Sequence, residues 1–310
     1  MIQQTVLEQL STVFRIRDLG KPRFFLGIEA VDAAGTIVLS QKRYITELLR
    51  RAGMESCKPL ATPASPSTQA ASHDSDAFED PTPYRQLVGS LMYLLITRPD
   101  LAYSVNRLCQ FMHNPAQGYW GALKRVFRYV KGSLDIGLRI TPSVVPVLHA
   151  FSDSDWVGCS VDQKSTGGYA VFLGPNLLSW VSRKQRTVAR SSTEAEYKAL
   201  ANVAAEVTWI QSLLRDLGLL LAAVPVLWCD NLGATYLCSN PIFHARTKHV
   251  ELDYHFLRDK VSTGALKVKF VSTHDQLANI FTKPLSAARF AELRHKLGVV
   301  PSPRQLEGEY

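Results

Sequence analysis

The sequence has no CxxC pair, and its five cysteines, Cys57, Cys109, Cys159, Cys229 and Cys238, are an odd number. That excludes a fully paired disulfide framework and the common zinc spacings, and leaves reduced, packed thiols. Long apolar runs are also missing. The richest, LGLLLAAVPVLW, is interrupted by Pro225 and falls short of the roughly 18 apolar residues of a membrane span. The N-terminal MIQQTVLEQL lacks the basic flank and apolar centre of a signal peptide. The expectation is a soluble, intracellular protein with no membrane partner.

What is present is globular: 310 residues, 46% hydrophobic and 20% charged, enough chain for two ordinary domains with their own cores. The net charge of +8 is uneven, with 17 Lys and Arg against 12 Asp and Glu in residues 1–145. Such a field suits a polyanion, nucleic acid among them.

No internal repeat is visible, but the pattern changes along the chain. KPRFFLGIEAVDAAGTIVLSQKRYITELLRRAGM reads as strand, turn, strand and a helix ending near Gly53. LATPASPSTQAASHDSDAFEDPTP has no apolar period and reads as a linker. From Tyr84 the pattern is helical, with a break at TRPD, where Pro99 suits a first helical turn, and another at HNP. GYWGALKRVFRYVKG sets an apolar stripe, Trp120, Leu123, Phe127 and Val130, beside a basic group of Lys124, Arg125, Arg128 and Lys131. The basic residues are either a solvated face or a surface laid along a phosphate backbone. From residue 144 strands and helices mix: PVLHAFSD, a hairpin from GGYAVFL to LLSWVSRKQ, a helix from about Ser192 to Leu217, PVLWCD, helices through RTKHVELDYHFLRDKV, LKVKFVS, and a last helix in DQLANIFTK. That order is an α/β domain on one mixed sheet.

Acidic residues stand out against this pattern. FSDSDW puts Asp153 and Asp155 two apart at the end of an apolar run, on one face if extended; a solvated turn and half of a metal site both fit. On the long helix, Leu200, Val203, Val207, Ile210, Leu214 and Leu217 form a core stripe that extends back to Glu196, with Glu194 about 200 degrees away. Glu194 then serves a capping box opened by Ser191. Glu196 faces the core and needs a partner, unless the helix end frays into water. Asp230 ends the run PVLWCD as Asp153 ends its own, and ligands of open α/β sheets gather at strand ends. Acids so grouped suit Mg²⁺ or Mn²⁺ and the chemistry of phosphodiester cleavage.

FSDSDWVG, STGGYAVFLG, SWVSRKQRTVARSSTEAEYKAL, VLWCDNLGAT, ARTKHVELDYHFLRDKV and FVSTHDQLANIFTKPL resemble the ribonuclease H domain that ends the Pol polyprotein of copia-type retrotransposons. Upstream, RDLGKPRFFLGIEA, LSQKRYITELLRRAGM, YRQLVGSLMYLLITRPDLAYSVNRL and RYVKGS resemble the last part of the reverse transcriptase of the same elements. The resemblance implies a ribonuclease H-like mixed five-stranded sheet with helices, preceded by a mainly helical partial thumb or connection segment. It divides the chain into a partial reverse transcriptase at 1–56, a linker at 57–83, a helical segment at 84–143, a ribonuclease H-like domain at 144–285 and a tail at 286–310. It further implies cleavage of the RNA strand of an RNA–DNA hybrid with two Mg²⁺ ions, Mn²⁺ able to replace them, by the catalytic metal ligands Asp153, Glu196 and Asp230. The implied partners are nucleic acid and the rest of a Pol polyprotein, in a virus-like particle of the cytoplasm or in the nucleus.

The sequence departs from that family in two places. No Asp-Asp dipeptide occurs in it, so the polymerase metal site is expected upstream of Met1 and no primer extension is expected. The family's fourth carboxylate, in QLAD, is replaced by Asn279 in QLAN. Asp275, expected in the first turn of the last helix, lies four residues earlier and could substitute; Thr273 and Gln276 are expected to cap that helix. His274 is either an aid to proton transfer or a surface residue, and His249 and His255 are too awkwardly spaced to share a metal. A weak or inactive nucleic-acid-binding remnant is therefore the competing expectation. An integrase would order its acids Asp, Asp, Glu, unlike this chain.

Overall fold

The computed structural model describes residues 2–15, 20, 23–33, 35–66, 78–143, 145–159, 162–239 and 251–302. Two five-stranded sheets organise it. The first is antiparallel, in the order β1 (Phe24–Phe25), β2 (Ile28–Ala33), β3 (Thr36–Ser40), β4 (Ile136–Ile140) and β10 (Val299–Pro301). The helices α2 (Lys42–Arg51), α3 (Thr82–Leu94), α4 (Ala102–Cys109), α5 (Gln117–Lys131) and α9 (Ala287–Lys296) supply most of its core, through residues such as Leu48, Leu91, Val105, Leu123, Phe127 and Leu293. From sequence, residues 286–310 are expected to form a separate tail. In the structure α9 enters this core and Val299 pairs with Leu138, so the chain end closes the first sheet. Periodicity could not show this, because β10 is three residues long and its partner lies far back in the chain.

The expected linker is equally engaged where it is described. Leu60 N–H donates to the Arg128 carbonyl at 3.2 Å, and the Phe78 ring packs edge-on against Trp120. Residues 67–77 lie outside the described set. The break at TRPD is a short 3-10 turn at Pro99–Leu101 whose Asp100 forms a buried ion pair with the preceding Arg98.

The second sheet runs β7 (Asn176–Lys184), β6 (Thr166–Leu173), β5 (Leu148–Asp155), β8 (Val226–Cys229), β9 (Lys267–Phe270). β5 pairs antiparallel with β6 and parallel with β8, and β8 parallel with β9. This is the mixed five-stranded sheet that the sequence led us to expect. Alternation assigns its faces. Leu148, Ala150 and Val171 pack under α6 (Ser192–Asp216) and α8 (Glu251–Ser262), while Ala170, Phe172 and Leu177 join the core of the first unit. The sheet is thus held between its own helices and the helical layer before it. A further helix, α7 (Leu232–Ser239), follows β8. Among the described residues no helix is long and apolar enough to cross a membrane.

The last helix differs from expectation. Residues Leu277–Phe281 form a 3-10 turn, and the Thr273–Gln276 capping pair gives way to Gln276 alone. Gln276, fully buried, donates from Nε2 to the Ser152 carbonyl at 2.8 Å and accepts from Ala278 N–H through Oε1. One side chain thus docks on the sheet and caps a short 3-10 turn.

Candidate active site

Three elements deliver one carboxylate each. Asp153 lies near the end of β5, Glu196 in the first turns of α6, and Asp230 immediately after β8. Each offers an oxygen, and the three atoms lie within 4.8 Å of one another. Asp153 and Glu196 are buried and Asp230 half-buried. Burial, then the neighbouring charges of Asp153 and Asp230, raises the Glu196 carboxyl to about 9. Burial also raises Asp153, against the pull of Lys283 and Thr282.

The two glutamates part as their helical phases require. Ser191 caps α6 by accepting from Glu194 N–H at 3.1 Å. The Glu194 carboxylate accepts from Arg190 N–H at 2.9 Å and pairs with Lys198 at 2.6 Å. It closes the helix start. Glu196 instead accepts from the Ser154 N–H at 3.1 Å, which ties the helix to the strand that carries Asp153. Asp155 turns to the start of β6, accepting from Thr166 N–H, and burial raises it to about 7. The candidate metal ligand of the FSDSD stretch is therefore Asp153, with its companions drawn from α6 and the end of β8.

The turn after Gln276 closes over Asp153. Thr282 donates its hydroxyl to Asp153 Oδ2, and Lys283 Nζ stands 3.4 Å from the same oxygen. Gly168 permits the approach. It is the register partner of Asp153, and a Cβ there would lie 2.5 Å from Phe281 Cβ. Asn279 donates from Nδ2 to the Thr273 carbonyl at 3.1 Å, and its Oδ1 is buried with no hydrogen-bond partner. Asp275 and His274 are exposed. Asp275 bonds Ser272 at 2.8 Å and stands 3.4 Å from His274, and neither joins the acidic cluster. The shared face expected for Asp275 and Asn279 required an α-helix that is not formed.

Of the basic residues on α5, Lys124 is exposed and Lys131 half-buried. Arg125 bonds Thr62 at 2.8 Å and Arg128 the Lys58 carbonyl at 2.7 Å, so both tether the segment that crosses α5. A second basic surface went unnoticed in the sequence. A groove of about 780 Å³ is lined by Gly168, Arg183, Lys184, Arg186, Thr187 and Lys198. The run SRKQR carries that signal, but only folding puts it beside the Asp153 register partner. His249 lies outside the described residues.

The donor set fits a hard divalent cation: three carboxylates, −3 when all are ionised, with no His or Cys grouped with them among the described residues. The buried Asn279 Oδ1, without a hydrogen-bond partner, belongs to the same short segment as Thr282, which bonds Asp153.

A family model described as reverse transcriptase (RNA-dependent DNA polymerase) matches residues 1–66. The retrovirus-related Pol polyprotein from transposon RE2 of Arabidopsis thaliana is 50% identical over 302 residues, 97% of this chain and 21% of that protein. The retrovirus-related Pol polyprotein from transposon TNT 1-94 of Nicotiana tabacum is 33% identical over 299 residues, 94% of this chain and 22% of that protein. The chain thus spans about a fifth of the length of these curated relatives. Among solved structures, the N-terminal RNase H domain of rv2228c from Mycobacterium tuberculosis, fused to maltose binding protein, aligns with 48% of this chain and 97% of that one, at 11% identity and a TM-score of 0.34.

Proposed function

This chain is a homologue of the copia-type retrotransposon Pol polyproteins, and from that premise we propose that residues 144–285 form a metal-dependent endonuclease acting on the RNA strand of RNA–DNA hybrids. The observation that carries the reading is the convergence of Asp153, Glu196 and Asp230 from three separate elements. Buried like charges are costly unless a cation joins them. Asp153, Glu196 and Asp230 are the residues that would hold Mg²⁺ or Mn²⁺, and such ions supply an activated water and steady the leaving oxygen of a phosphodiester.

The chain's own part is positioning. The Ser154 N–H fixes one Glu196 oxygen and the Thr282 hydroxyl one Asp153 oxygen, so the acids hold their places before substrate arrives. The groove with Arg183 and Arg186 and the exposed Lys124 of α5 offer positive charge to a hybrid backbone. Binding through them should weaken steeply with salt, because each neutralised phosphate releases counterion. Nucleotide addition to a primer is not expected, as no Asp-Asp dipeptide is present.

Asn279 and Lys283 favour a second reading, a weak or inactive hybrid-binding remnant: one removes a negative charge and the other adds a positive one. Incubating the purified chain with a labelled hybrid, across a titration of Mg²⁺ and Mn²⁺, separates the two. Metal-dependent cleavage, relatively better in Mn²⁺ and improved by Asn279→Asp, supports the enzyme. No cleavage in either metal, with rescue by Asn279→Asp, supports the remnant. No cleavage even after that change overturns the site as assembled.

A further inference from the structure

Lys283 stands where the acidic cluster most needs a positive charge. Its side chain is 38% exposed, whereas that of Asp153 is 3% exposed, and Nζ reaches Asp153 Oδ2 at 3.4 Å from the solvent side. Among the described residues this is the ion pair the cluster makes. The backbone beneath the lysine is fixed. Lys283 N–H and Thr282 N–H both donate to the Asn279 carbonyl at 3.3 Å, and the absent Cβ of Gly168 lets Phe281 and Thr282 rest on the sheet. Any movement therefore belongs to the flexible four-carbon stem, which can withdraw its strongly hydrated ammonium into water.

We propose that Lys283 is an internal counter-cation that holds Asp153 in the metal-free protein and competes with the divalent ion for the same carboxylate. This rests on the metal-site reading above. A divalent ion placed among the three acids meets both an Asp153 Oδ2 already engaged by the ammonium and the like charge of that ammonium. Metal affinity is then set by an exchange, and Lys283 is a positioning residue that acts through Asp153.

The test needs no nucleic acid and no turnover. Mn²⁺ is titrated calorimetrically into the full chain as wild type, Lys283→Gln and Lys283→Arg, with melting temperatures measured with and without the ion. Lys283→Gln should bind Mn²⁺ about tenfold more tightly, the scale of a charge pair half-shielded by solvent. Its metal-free melting temperature should fall by about 2–4 °C, and saturating Mn²⁺ should close that gap. Lys283→Arg, which keeps the charge, should stay near wild type in both. Equal or weaker Mn²⁺ binding by a folded Lys283→Gln overturns the competition and leaves the metal site standing. Absence of Mn²⁺ binding from all three proteins overturns the metal site, and the competition with it.

Discussion

In the first unit Arg98 and Asp100 are almost wholly buried and meet as a fork, Nε to Oδ1 at 3.0 Å and Nη2 to Oδ2 at 2.8 Å. Tyr129 donates to the same carboxylate at 2.5 Å, and the Ser133 hydroxyl and carbonyl accept two further guanidinium N–H groups at 2.8 and 3.1 Å. In the second unit Asp153, Glu196 and Asp230 are gathered just as closely, yet three acids share one half-exposed lysine. Burial raises the carboxyl in both places. At Asp100 the guanidinium and its hydrogen bonds outweigh burial and hold it below the ordinary 3.8. At Glu196 neighbouring acids add to burial and take it to about 9. A charge cluster satisfied within the chain joins structural elements; one left in deficit is suited to an ion from outside.

If that contrast is right, removing a charged residue has opposite effects in the two units. Arg98→Ala, which strands a buried carboxylate, should cost about 3–5 kcal/mol in urea unfolding at pH 7. Glu196→Gln keeps its acceptor for Ser154 N–H and removes a buried carboxyl whose raised titration costs stability at pH 7, and should stabilise the metal-free protein by about 0.5–2 kcal/mol. A marked loss of stability from Glu196→Gln in chelator would erase the contrast.

A smaller effect sharpens the first half of the comparison. Tyr129→Phe removes the hydrogen bond to Asp100 Oδ2 and should cost about 1.5–3 kcal/mol. The sign with pH follows from the lowered Asp100 carboxyl: its stabilisation is present above the unfolded value of 3.8 and is lost as pH falls through the lower folded one. With one lowering contact gone, the acid unfolding midpoint of Tyr129→Phe should move to higher pH in a circular dichroism titration. An unchanged midpoint would place the acid limb elsewhere.

Gly168→Ala probes the second half. Its Cβ would press on Phe281, and overpacking of this kind costs about 1–3 kcal/mol. Because the displaced turn carries Thr282, whose hydroxyl holds Asp153, hybrid cleavage should fall by more than the stability loss explains. Gly167→Ala, where a Cβ meets nothing nearer than 3.7 Å, is the control.

The sequence made one half of this comparison legible. The 3.6-residue phase of α6 separated Glu196 from Glu194, and the ends of two apolar runs located Asp153 and Asp230, because period and run length are local properties. The paired cluster was invisible for the opposite reason. Arg98 and Asp100 are neighbours in TRPD, but Tyr129 and Ser133 reach them only when α5 packs. Lys283 and Thr282 escaped notice because they act on a strand about 130 residues earlier, through a turn whose geometry Gln276 sets by docking on Ser152. The closing strand β10 had no period to read.

The central claim is that only the core-facing glutamate belongs to the site. Cleavage of a labelled RNA–DNA hybrid in saturating Mn²⁺ should be measured under single-turnover conditions for wild type, Glu196→Gln and Glu194→Gln, with folding checked by circular dichroism. Glu194→Gln retains an acceptor for the Arg190 N–H and is predicted to keep most of the cleavage, while Glu196→Gln falls to background. Equal loss from both, or activity surviving in Glu196→Gln, would contradict the account.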